Sequence, residues 1–135
     1  MDGAAVIMLK DDQGLYAREL GAYDLGEDSR FVAGIFAEET DGVIVVRLRL
    51  TPDRDCADWE YEALFDHFDD EVFCSANLRE IPDEYNPVWE LTLPYVENHQ
   101  AFTGRLAEML ALFRRELADC WQAIAGKEEE YRREE

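Results

Sequence analysis

The chain has 135 residues, 47% of them hydrophobic, and a formal charge of −19 at neutral pH. That is one domain's length, with enough apolar side chains to close a core, and it excludes a disordered chain. The charge has the wrong sign for gripping a phosphate backbone, so direct nucleic-acid binding is not expected.

The first element is AAVIMLK at residues 4–10, an unbroken apolar run that predicts a buried strand. Its six apolar residues fall far short of the ~20 a membrane span needs, and Asp2 stands where a secretory signal would be basic. A soluble protein with no membrane partner is expected. Cys56, Cys74 and Cys120 form no C-x-x-C pair, which fits free thiols in a reducing cytoplasm. LYAREL (15–20) predicts a second strand, and YDLGEDS (23–29) a longer connection. RFVAGIFAEE (30–39) and VIVVRLRL (43–50) flank Thr40-Asp41-Gly42, a hairpin signal. In the latter run Ile44, Val46, Leu48 and Leu50 alternate with Val45, Arg47 and Arg49, so one face is buried and the other wet. Four strands in succession predict an antiparallel meander.

Thr51-Pro52 ends the sheet, and Asp55 or Asp58 is placed to cap a helix. In it Ala57, Tyr61, Leu64, Phe65, Phe68 and Val72 share one stripe. NLREIPDEYNP (77–87) reads as a loop, with a short strand near Leu78–Ile81. VWELTLPYV (88–96) turns Trp89, Leu91, Leu93 and Tyr95 inward, and Pro94 puts that strand at an edge or near its end. Phe102, Leu106, Met109, Leu110, Phe113, Leu117, Cys120 and Ile124 predict a helix over 98–125, with Asn98 or Thr103 as its start and Gly126 as a stop. At ~1.5 Å per residue it reaches ~40 Å, longer than a five-strand sheet is wide. Part of it is expected to overhang and, with Leu112 and Tyr131, to offer a homodimer face.

The order β-β-β-β-α-β-α predicts an α+β fold: an antiparallel sheet of about five strands (a four-strand meander plus one later strand) with two helices packed on one face. Residues 1–126 form the domain. Residues 127–135 form a charged helical extension or frayed tail.

The stretch LFDHFDDEVF (64–73) gathers His67 and four carboxylates. His67 and Glu71 are at i, i+4, but Zn²⁺ sites draw three or four N and S ligands and the other histidine is His99 alone. The calcium loop D-x-D-x-D-G is absent. No metal or cofactor is expected. There is no G-x-S-x-G, phosphate-cradling glycine loop or H-E-x-x-H. Cys74 with His67 or His99 is a pairing that chance supplies. An enzyme is not expected.

The position of the charge is more informative. Residues 51–100 carry fourteen acids against Arg54 and Arg79, which is −12 of the −19. Between Asp55 and Glu71 there are eight acids and no Lys or Arg. Asp69, Asp70 and Glu71 oppose the dipole of a helix over 55–71. Glu62–Asp66 and Asp66–Asp70 are like-charge pairs costing a few tenths of a kcal/mol each. A helical wheel places Trp59 on this acidic side, while a first-turn position would fold it over the sheet edge. A tryptophan among carboxylates suits a basic protein surface. Trp59, Glu62, Asp66, Asp69 and Asp70, with the PDEYNP loop (82–87), are therefore the candidate partner-binding residues of a non-catalytic interaction module. The alternative is a nucleic-acid mimic that inhibits a DNA- or RNA-binding protein. The chain is similar to acidic DNA mimics in composition and layout, without a shared motif. A carboxylate-based enzyme is the third reading. Two lysines against eleven arginines leave adaptation to high salt as another source of the acidity.

Overall fold

The computed structural model describes residues 4–11, 13–73 and 77–132, Arg132 by its backbone alone. The strands are β1 (Ala4–Lys10), β2 (Tyr16–Asp24), β3 (Val32–Thr40), β4 (Val43–Leu50), β5 (Asn77–Ile81) and β6 (Val88–Pro94). The helices are α1 (Asp58–His67), α2 (His99–Ile124) and α3 (Glu128–Arg132). The fold is α+β, and the strands form a single mixed sheet in the order β2-β1-β3-β4-β6-β5.

Two expectations about the sheet need correction. There are six strands among the described residues rather than five, because 77–81 pairs fully with β6. The first four strands are not a meander: β3 leaves β2 through a 3₁₀ turn at Gly26–Phe31 and pairs with β1, parallel to it. Burial explains the order. A meander would put β1 at the edge, although Ile7 and Leu9 are almost entirely buried. The observed order gives the edge to β2, whose first four residues are exposed. The Asp41-Gly42 hairpin forms as expected, with both residues at positive φ (54° and 80°), as a type I′ turn needs. Pro94 is the last residue of β6, an internal strand, so its missing donor falls at the end of the ladder.

One face of the sheet carries the core. Phe102 of α2 packs on Tyr23 and Tyr95, and eleven residues later Phe113 packs on Phe31, Phe68 and Trp89. The helix therefore lies along the core face of the sheet, and its whole predicted stripe is buried. Asn98 caps it by accepting from the Ala101 N–H at 2.9 Å.

The expected overhang of α2 is absent, because Cys120 and Ile124 are buried within the same chain. Gly126 (φ +82°) turns the backbone, and α3 packs back on α1. There Tyr131 is buried beside Trp59, and its hydroxyl donates to Asp66 at 3.0 Å. Leu112 is half-buried against the core.

The helix expected over 55–71 is shorter than its charge run. Its N-cap is Ala57 rather than Asp55 or Asp58, and the Glu60 carboxylate accepts the Ala57 N–H at 2.9 Å. It stops at His67. Phe68 turns extended (φ −69°, ψ 124°) and enters an aromatic cluster with Phe73, Trp89 and Phe113. A separate 3₁₀ turn, Asp70–Phe73, follows. Breaking here takes Asp69, Asp70 and Glu71 off the negative end of a continuous helix.

Candidate functional site

The sheet and α1 divide the charge between two places. The first lies where α1 ends beside β5. Glu62 and Asp66 are exposed one turn apart on α1, and Asp70 opens the following turn. Glu80 on β5 pairs in register with Trp89, so it faces the helices. Burial, and then the charges of Asp66 and Asp70, push its carboxyl above the ordinary value. Of the two cations in residues 51–100, Arg54 pairs with Glu60 and stacks on Trp121, and Arg79 pairs on the opposite face. Among the described residues no cation lies within ion-pair distance of Glu62, Asp66, Asp69, Asp70 or Glu80.

The candidate residues are only partly brought together. Asp66 and Asp70 converge on Glu80. Asp69 turns toward α2, where its backbone N–H donates to Glu116 at 2.9 Å. Trp59 is half-buried with its ring 6.3 Å from Tyr131, so it lies under α3 rather than among the open carboxylates. The loop 82–87 is held to the start of α1: Asn86 donates to the Arg54 carbonyl and accepts from the Cys56 N–H. Tyr85 on that loop is 80% exposed, the position expected of Trp59.

The second place is the sheet face opposite α1 and α2, which no helix among the described residues covers. Register puts Arg49, Glu90 and Arg79 in one row across β4, β6 and β5, with Phe36, Arg47, Thr92 and Asn77 in the next. Glu90 is only 1% exposed. Its Oε2 accepts from Arg49 Nε at 2.9 Å, and its Oε1 accepts from Arg79 Nε and Nη2 at 3.2 and 3.1 Å. Arg47 stands 3.7 Å away and donates to Thr92 at 2.9 Å. Burial alone would raise the Glu90 carboxyl; the hydrogen bonds and charges of Arg49 and Arg79 outweigh it and hold the group below the usual carboxylate range.

The chain belongs to the family of unknown function DUF6762. The family model spans residues 1–132, hence both charged regions. No curated protein and no solved structure matches the chain.

In this DUF6762 member the described cysteines and His99 are engaged elsewhere. Burial and nearby Glu60 push the Cys56 thiol up to about 11; burial and Glu116 push Cys120 up to about 12. Neither is poised as a thiolate nucleophile. Cys74 lies outside the described residues, and with it the Cys–His pairings considered from the sequence. The His99 ring stacks on Tyr23 at 4.6 Å, its Nε2 2.7 Å from the Ala22 carbonyl. Among the described residues no group of three or more His, Cys, Asp or Glu is placed to hold a metal, and no helix is long and apolar enough to cross a membrane.

The row around Glu90 is what reading along the chain missed. Its signal was present: Arg47 and Arg49 two apart on one wet strand face, Glu90 and Arg79 on the wet faces of two others. What joins them is the adjacency of β4, β6 and β5, a long-range fact.

Proposed function

We propose that this protein is a non-catalytic interaction module that docks a basic surface of a protein partner through the acidic region where α1 meets β5. One observation carries the reading: burial, and then the charges of Asp66 and Asp70, make Glu80 hold its proton more tightly than a free carboxylate, with no cation among the described residues within ion-pair distance of the three. A face shaped by stability alone would place a lysine there. A basic partner would relieve the repulsion and gain long-range attraction from the −19 charge.

The test is capture of partners from the native host's lysate by the wild type and by a triple variant, Glu62→Gln, Asp70→Asn and Glu80→Gln. Asp66 is spared because it holds Tyr131. A partner retained at low salt, released by high salt and lost in the variant supports the reading. Equal capture by both proteins refutes it. Displacement of that partner by duplex DNA would identify the acidic surface as a mimic of nucleic acid.

A further inference from the structure

We propose that the uncovered sheet face carries a second binding site, for a small dianion such as a phosphate monoester or a dicarboxylate, with Arg47, Arg49 and Arg79 as its ligating residues. Three observations support it.

The cleft is a cationic spot in a strongly acidic chain. Its lining sets Arg47, Arg49 and Arg79 against Glu38 and Glu90, one positive charge in excess. Elsewhere on the same face Lys10 is offset by Glu19, in register with Met8, and by Asp24, in register with Ala4.

The donors are also incompletely used. Arg49 gives Glu90 its Nε, and Arg79 gives its Nε and Nη2. The other terminal nitrogens of both residues have no partner among the described residues. Guanidinium forks held in place by a buried carboxylate are set up to meet a second oxyanion in bidentate fashion. Stability does not explain Glu90, because a buried ion pair is usually matched or bettered by apolar residues of similar volume.

Finally, there is space. A cleft of about 420 Å³ is lined by Phe36, Glu38, Arg47, Arg49, Arg79 and Glu90. Gly34 stands in register with Arg49, and a Cβ there would meet nothing within 4 Å. The glycine follows a β-bulge between Val32 and Gly34 and leaves the space beside Arg49 open.

A small ligand suits the site better than a polyanion. The acidic surroundings repel a nucleic acid or an anionic membrane over many ångströms, while a small dianion meets the guanidiniums at hydrogen-bond distance.

The experiment is calorimetric titration of the full chain with inorganic phosphate and, separately, succinate. The expected result is saturable one-to-one binding of at least one probe with Kd below about 1 mM. Phosphate alone points to a tetrahedral ester group, and succinate alone to planar carboxylates. Arg79→Gln, which also takes two hydrogen bonds from Glu90 and so lowers Tm, is expected to weaken binding about tenfold when titrated well below its melting temperature. Gly34→Val, which keeps every charge and narrows the space beside Arg49, is expected to weaken it severalfold. Arg115→Gln on α2 is the control and should bind as the wild type. The assignment is overturned by absence of saturable binding for both probes. It is equally overturned if Arg79→Gln and Gly34→Val both bind normally, or if Arg115→Gln loses as much as Arg79→Gln.

Discussion

Glu80 and Glu90 sit on neighbouring strands and face opposite sides of one sheet, and their carboxyls are pushed in opposite directions. Glu90 is the more deeply buried, yet it stays ionised because Arg49 and Arg79 meet both of its oxygens. Glu80 is more exposed and is nevertheless driven toward its neutral form, because burial is compounded by Asp66 and Asp70. Depth does not decide which carboxylate is comfortable. Partners do.

The contrast is sharpest under substitution. Glu90→Gln should destabilise the protein by about 2–3 kcal/mol. That is less than the loss of a fully buried pair, since the guanidiniums left behind keep access to water. Glu80→Gln should be neutral or slightly stabilising. Urea melts of the two variants check this, and equal destabilisation would break the comparison.

A smaller effect is expected at the hydrogen bond tying the acidic side to α3. Tyr131→Phe should cost about 1 kcal/mol through the lost bond to Asp66. It should also raise accessibility around Trp59, read as a red-shifted tryptophan emission in a background where Trp89 and Trp121 are unchanged.

The pH dependence separates the two carboxylates by sign. Glu80's folded pKa is raised, so the folded state binds its proton more readily and the penalty present near neutrality is relieved as pH falls. Glu90's folded pKa is lowered, so its contribution is complete above the ordinary carboxylate value and is lost as pH falls through the folded one. Stability should rise modestly from about pH 7 to about pH 5 and drop below about pH 4. Glu80→Gln should blunt the rise and Glu90→Gln the drop, which urea midpoints across pH will show.

The smallest effect is a charge reversal. Asp70→Lys places a cation near Glu80 and should add a few tenths of a kcal/mol at low salt, vanishing toward 1 M NaCl where the Debye length is ~3 Å. Asp66→Lys, equivalent on a helical wheel, should fail to stabilise because it also removes the Tyr131 acceptor. Thermal melts at two salt concentrations distinguish them.

Much of the fold was legible along the chain. The α2 stripe from Phe102 to Ile124, the Asn98 cap, the Asp41-Gly42 hairpin and the wet face of β4 are local patterns set by helical or strand period and turn chemistry, and the structure contains each of them. The acidity around α1 was legible too, since composition does not depend on folding. Other features came from contacts between distant segments. Whether β3 joined β2 or β1 depended on which strand most needed covering, and Ile7 and Leu9 decided it. Trp59 looked open on a wheel because the wheel could not include α3. Glu90 looked like one more wet-face carboxylate until β4 and β5 closed on both sides of β6 and brought Arg49 and Arg79 onto it. Period and propensity act over a few residues, so sequence carries them directly. A partner for a charge or a cover for an apolar face is chosen among segments tens of residues apart, and only the folded chain shows which were taken.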